Sequence, residues 1–238
     1  MLKFILALAA MFSFSQIEAQ KTVIQDANAQ VRNVGPFSEV KISGGIDLYL
    51  TQGNEDGVAV SANDNQDRDR IKTSVDNGML KIWYDSEGLR FKSGNKNMKA
   101  YVSFRSINGL IASGACDVRI NGTLKGDGLN MKLSGASDFE GTVQLDKLKI
   151  DQSGASDTKI SGSVGSLNVQ ASGASDLKGY ELQVNECTAK ASGASDIQIT
   201  VNKELSAQAS GASSISYKGG GVVKEVHTSG ASSINKRG

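Results

Sequence analysis

Apolar residues alternate with polar ones in short, repeated runs along the second half of the chain. Pairs one residue apart stand at Leu129 and Met131, Leu148 and Ile150, Leu167 and Val169, Cys187 and Ala189, and Leu205 and Ala207. Alternation of this kind marks a strand with one buried face. Each pair lies just ahead of a copy of Ser-Gly-Ala-Ser-Asp or a close variant. Apolar residues return after the motif, at Val118 and Ile120, Phe139, Ile160, Leu177, Ile197 and Ile199, Ile215 and Tyr217, and Ile234. The unit reads as strand, corner, strand, turn.

The motif begins at Ser113, Ser134, Ser153, Ser172, Ser192, Ser210 and Ser229, so successive spacings are 21, 19, 19, 20, 18 and 19 residues. A fixed period of about 20 residues is the signature of a solenoid. No stretch sustains the periodicity that a helix in every repeat would require. What remains is a stack of short strands, each backbone pairing with the coils above and below at about 4.8 Å. The predicted fold is all-β, a parallel β-helix.

In that fold the motif is a corner code before it is a site. Glycine at its second position tolerates backbone angles that other residues resist. The alanine after it is expected to point into a tight inner corner, against its copies in neighbouring coils. The serines are expected to bond nearby backbone or the serine one coil away. The aspartates Asp117, Asp138, Asp157, Asp176 and Asp196 should form one surface column, where neighbours about 5 Å apart repel by roughly 1 kcal/mol even in water. Two residues on, Arg119, Glu140, Lys159, Lys178 and Gln198 share that face. An exposed salt-bridge ladder is the economical account of the column. A calcium column is the competing one, but a single carboxylate per coil is few for an ion that takes 6–8 oxygens. Weak calcium binding is the most it would support, and no cofactor is expected.

Upstream of Ser113 the period blurs. "EVKISGGIDLYLTQG" has the design of an early coil, with Asp47 at the aspartate position. The runs "VAVSA", "IKTSV", "MLKIWYD" and "AYVSF" follow, with a hairpin signal at "DNG" and a polar connection "NDNQDRDR" suited to one helical turn. An open solenoid end needs covering, so an irregular N-terminal β cap is the expected role of this region.

At the start of the chain, Lys3, the apolar "FILALAAMFSF" and the small residue in "QIEAQ" read as a secretory signal peptide over 1–19. Cleavage after Ala19 would leave 20–238 as one folded domain, with N-terminal coils and cap over 20–112 and the regular β-helix over 113–238. No membrane span is expected after cleavage. Formal net charge is +1, which argues against nucleic acid. The basic run "RFKSGNKNMK" reads as a solvated loop. Cys116 and Cys187 fall at different points of distant coils, so two free thiols are expected rather than a disulfide or a zinc site. The sole histidine, His227, has no GxSxG serine to serve and reads as a surface strand residue. Trp83 and Tyr84 read as cap packing more readily than as a sugar platform.

"GPFSEVKISGGIDLYLTQGNEDGVAVSAND", then "IKTSVDNGMLKIWYD", then serial "SGASD" resembles the exported bacterial family of auto-transporter adhesin head domains of the GIN type. The resemblance spans nearly all of the chain after the signal. It implies a right-handed β-helix, export from a Gram-negative cell, and a role in adhesion, and it brings no catalytic residues. A true auto-transporter would add a membrane barrel, for which no chain follows Gly238. Residence in the periplasm, on the outer-membrane surface or outside the cell is therefore expected. Three functions compete: a noncatalytic adhesion or binding module for a glycan polymer or envelope protein, a structural or assembly protein of the envelope, and a carbohydrate-active enzyme. The enzyme is the least favoured, because repetition without a local insertion builds no cleft.

Overall fold

The computed structural model describes residues 26–88 and 96–238. The predicted signal peptide and the first six residues of "RFKSGNKNMK" lie outside the described residues. The chain forms a nearly all-β solenoid of about 7 turns.

The N-terminal part contributes β1 (Gln30–Arg32), β2 (Glu39–Ser43), β3 (Asp47–Gln52), β4 (Gly57–Ser61), the short helix α1 (Asn65–Arg70), β5 (Ile71–Asp76), β6 (Met79–Tyr84), β7 (Lys99–Phe104) and β8 (Gly109–Ser113). The regular part contributes β9 (Asp117–Leu133), β10 (Asp138–Gln152), β11 (Asp157–Ala171), β12 (Asp176–Ala191) and β13 (Asp196–Gly211). The last turns are β14 (Ser214–Lys218), β15 (Val222–Gly230) and β16 (Ser233–Lys236).

From β9 onward each coil pairs in parallel with the next, one period away: Leu148 lies opposite both Leu129 and Leu167, and Leu167 opposite Cys187. The alternating residues named from the sequence are the inward column, with Leu129, Met131, Leu148, Ile150, Leu167 and Val169 all buried. The predicted turn between the two strands of each coil is a bend within one long strand rather than a break. Register shifts mark it between Glu140 and Thr142, between Lys159 and Gly162, and between Gly179 and Gln183. Bulges of this kind turn a strand without ending its ladder.

The corner departs from expectation in one respect. Ala115, Ala136, Ala155, Ala174, Ala194 and Ala212 are exposed, whereas Ser137, Ser156, Ser175, Ser195 and Ser213 are buried. The alanine does not enter the inner corner. The preceding glycine takes a left-handed conformation, as at Gly154 with φ 83°, and this swings the next residue outward. The second serine then turns in, and its hydroxyl donates to the carbonyl of the motif's first serine: Ser175 to Ser172 at 2.6 Å, Ser195 to Ser192 at 2.7 Å, Ser213 to Ser210 at 2.8 Å. The local backbone bond expected of the serines is present, and it satisfies a hydroxyl that burial would otherwise penalise. Coils meet at this corner through the alanine N–H, which donates to the glycine carbonyl of the coil before, as from Ala155 to Gly135 at 2.8 Å. A Cβ on Gly154 would lie 2.5 Å from that carbonyl oxygen, so the position excludes side chains as well as demanding positive φ.

The N-terminal region is not a simple prefix to the stack. β2 pairs in parallel with β8 on one side and β6 on the other, and β3 does the same with β9 and β7. The coil made by β6 and β7 therefore lies outside the coil made by β2 and β3, although it comes later in the chain. Antiparallel strands close this end: β5 on β6 through the "DNG" turn, β4 on β7, and β1 on β4. Asn77 and Gly78 both have positive φ, as a two-residue hairpin turn of this type requires. The expected helical turn is α1, where the Asp64 carboxylate caps the start by accepting from the Asp67 N–H at 2.7 Å. One apolar cluster runs from Phe37 in the cap to Ile215 near the far end.

A candidate binding face along the solenoid

The five aspartates singled out from the sequence stack as one column. Asp138 lies opposite Asp117, Asp157 opposite Asp176, and Asp176 opposite Asp196, while the Asp157 N–H donates to the Asp138 carboxylate at 3.2 Å. Asp196 is followed by Ser214, whose hydroxyl donates to it at 2.5 Å, and then by Ser233. At the other end Asp47 adjoins Asp117, because Leu48 pairs with Val118, and Lys99 lies opposite Asp47. Burial, and then the neighbouring Asp117 charge, push the Asp47 carboxyl above its ordinary range.

The adjacent outward column is continuous through every coil. It runs Tyr101, Tyr49, Arg119, Glu140, Lys159, Lys178, Gln198, Ser216, Asn235, with Ser216 buried. Ion pairs link it to itself and to the aspartates: Lys159 to Glu140 at 2.8 Å, Arg119 to Asp117 at 3.3 Å, Lys178 to Asp157 at 3.7 Å. The predicted salt-bridge ladder is thus present in part. The Lys159 ammonium holds the Glu140 carboxyl below its usual range. Among the described residues no three His, Cys, Asp or Glu side chains are grouped to hold a metal ion.

The cap end of this column carries an aromatic pair that the alternation alone did not single out. Tyr49 and Tyr101 stack with ring centroids 5.2 Å apart, and the Arg119 guanidinium lies 6.0 Å from the Tyr49 centroid. The Tyr101 hydroxyl donates to Asp26 at 2.8 Å, and burial with that carboxylate raises its pKa. The alternation of Leu48 and Leu50 places Tyr49 outward, but no spacing ties Tyr101 to it, since β7 reaches its place from outside the repeat.

Two shallow grooves follow the solenoid. One, of about 620 Å³, runs beside the charged column past Asn121, Thr142, Ser161, Tyr180 and Glu181, with Lys218 lying 4.7 Å from the Tyr180 ring centroid. The other, of about 860 Å³, lies on the flank before the corner, where Lys132, Asp151, Gln170, Lys190, Gln208 and His227 form a ladder beside the motif serines. Both are open troughs rather than enclosed clefts.

The remaining candidates separate cleanly. Cys116 and Cys187 are both buried free thiols, and burial pushes Cys187 up to about 12, which leaves it unreactive. Cys116 occupies the place of the second motif serine, its sulfur 3.3 Å from the Ser113 carbonyl oxygen. His227 is exposed on β15. Tyr84 packs against the core and bonds Asp67 and Lys96, whereas Trp83 is 37 % exposed and does not serve as cap packing. It is the outward neighbour of inward Ile82 on β6.

The geometry defines a β-solenoid with long repetitive faces. Residues 36–221 match the family described as "Putative auto-transporter adhesin, head GIN domain", and the chain belongs to that family. Among solved structures it is similar to a putative adhesin from Bacteroides fragilis NCTC 9343, with a TM-score of 0.79 and 21 % identity over 88 % of this chain and 96 % of that one. It is also similar to a putative lipid binding protein from Parabacteroides distasonis ATCC 8503, with a TM-score of 0.67 and 19 % identity over 90 % and 98 %. A putative adhesin from Parabacteroides merdae ATCC 43184 matches with a TM-score of 0.65 and 18 % identity over 88 % and 95 %. At these identities the likeness establishes the fold. No curated relative matches.

Proposed function

We propose that the protein is a noncatalytic, exported adhesion or binding module of the bacterial envelope, which engages an extended polymer along the solenoid face. The observation that carries this is the column from Tyr101 to Asn235, running beside the aspartate column at coil spacing through the whole stack. A ligand that itself repeats can meet equivalent groups in successive coils, and the separate weak contacts then act together. The family description, which names an adhesin, supports the same reading. Hydrolysis of a glycan would call for two carboxyls with opposed roles flanking one bond in a cleft. Here the carboxylates line an open face and Glu140 is tied to Lys159. Calcium at the aspartate column would be weak, with one side-chain carboxylate per coil.

Co-sedimentation with isolated envelope polysaccharide and peptidoglycan tests the proposal. Retention is expected, and Lys159→Glu with Lys178→Glu should weaken it about tenfold or more, because two adjacent cations of the column reverse sign. Absence of retention, or retention indifferent to the double substitution, would overturn the assignment. A structural or assembly role in the envelope is the second reading, favoured by the outer edge of β15 and β16, which is unpaired among the described residues.

A further inference from the structure

The two ends of the solenoid are finished differently. Antiparallel β1, β4 and β5 cover the first, whereas β15 and β16 close the stack with one edge paired and the other open among the described residues. All nine residues of β15 are exposed. Of five large apolar residues exposed among the described residues, three lie on this strand: Val222 at 61 %, Val223 at 37 % and Val226 at 49 %. Val223 lies opposite Leu205 and Val226 opposite Ala207, both fully buried, so these two valines continue the core column and, among the described residues, no further strand pairs beyond them. An edge of this kind is a template for another strand unless charge or distortion guards it. The guard here is partial. A bulge falls at Lys224, but its ammonium is turned back to Glu204 of the preceding coil at 3.3 Å.

We infer that β15 is the interface of a two-fold dimer, pairing antiparallel with β15 of a second copy about Val226. Two features single out that partner and register. Val226 is the midpoint of Val222–Gly230, so a two-fold there overlaps the strands over their full length. An antiparallel two-fold keeps outward residues on the outward face. Glu225 and His227, which face outward opposite Ser206 and Gln208, then meet His227 and Glu225 of the second copy, while Val226 meets Val226 on the inward face. Moving the axis to Lys224 or Glu225 would set like charges against each other. The bulge confines the regular ladder to the middle pairs, where this complementarity lies.

Sedimentation velocity on the purified protein, from about 1 to 100 µM, is the test, the range being where interfaces of this modest size associate. A concentration-dependent dimer is expected. Val226→Lys, which places two ammonium groups on the axis, should weaken it at least about tenfold, and His227→Glu should weaken it similarly by facing Glu225 of the second copy. The exchange Glu225→His with His227→Glu restores a Glu–His pair on each side of the axis and should recover the dimer, an effect that a general loss of folding would not produce. Thermal melting by circular dichroism checks that each variant remains folded. A wild-type protein that stays monomeric, a dimer indifferent to Val226→Lys, or an exchange no better than His227→Glu alone would each overturn the inference.

Discussion

The corners of the regular stack and the first corner of the chain hold the same place in the coil with different chemistry. At the fourth motif position Ile46 is buried in the first corner, Cys116 in the second, and serine from Ser137 onward. The serines bond the carbonyl three residues back, the thiol approaches it, and the isoleucine simply fills space. The glycines differ in parallel. An added Cβ would lie 3.1 Å from Tyr84 at Gly44 and 3.4 Å from the Gly44 nitrogen at Gly114, whereas at Gly135, Gly154 and Gly173 it would lie 2.5 Å from the carbonyl oxygen of the glycine one coil before. Identical corners nest so closely that each restricts the next. Where neighbours differ in sequence, the corner is looser and the side chains are freer to vary.

The sharpest way to break this comparison is to add one methyl group. Gly154→Ala combines a left-handed φ with a backbone collision and should cost about 3 kcal/mol or more, while Gly114→Ala, whose added Cβ would stay 3.4 Å from the Gly44 nitrogen and which loses mainly through its φ, should cost about 1–2 kcal/mol. Urea denaturation of both variants decides it; equal losses would mean that the nesting is no tighter in the regular stack.

A smaller effect is expected from the buried hydroxyl. Ser175→Ala removes a donor and leaves the Ser172 carbonyl short of a partner, for about 1–2 kcal/mol. Ser175→Cys should cost less, since Cys116 already shows that a thiol fits this place. Ala155→Leu serves as the contrast: an exposed position should change stability by no more than about 0.5 kcal/mol. A loss for the leucine variant comparable to core overpacking would restore the inward alanine.

The smallest effect concerns charge. In the folded chain the Asp47 carboxyl holds its proton more tightly than in the unfolded chain, because of burial first and Asp117 second. Its unfavourable contribution is therefore absent below the ordinary carboxylate range and develops as pH rises through the raised pKa. Asp47→Asn should stabilise the protein at neutral pH by less than about 1 kcal/mol, with the gain vanishing in acid. Asp157→Asn, which gives up the exposed Lys178 pair at 3.7 Å, should stay within about 0.5 kcal/mol of wild type. Denaturation midpoints at neutral and acid pH measure both, and a destabilised Asp47→Asn at neutral pH would reverse the sign argued here.

Repetition explains what could be read beforehand. With copies about one coil apart, the period fixes which residues stack, so the pairing of Asp117 with Asp138 and the inward Leu129, Leu148 and Leu167 were legible without coordinates. Side-chain size misled at the corner. Small Ala155 suggested an inner place, but the left-handed Gly154 swings it outward, and the expected local bond makes Ser156 compatible with burial. Nor does any period announce that Lys99–Phe104 stacks outside Asp47–Gln52. That neighbour relation spans about half a hundred residues of intervening chain, and the Tyr49–Tyr101 pair was hidden with it. The open troughs and the charged column were visible as alternating outward residues, but not their ligand, because a periodic surface carries little that is local to one chemistry.

The displaced coil also sets an order of assembly. The β2–β3 coil lies between one neighbour supplied by β6–β7 and another supplied by β8–β9, so its two faces are complete only once the chain has been made through Leu133. Closing those long loops must precede the contacts that reward it. From Asp138 onward each coil needs only the coil already laid down, and growth becomes a one-way addition of equivalent layers. The slow event in folding should therefore belong to the first 133 residues, after which the repeats follow as on a seeded crystal face, each new layer finding its register in the last.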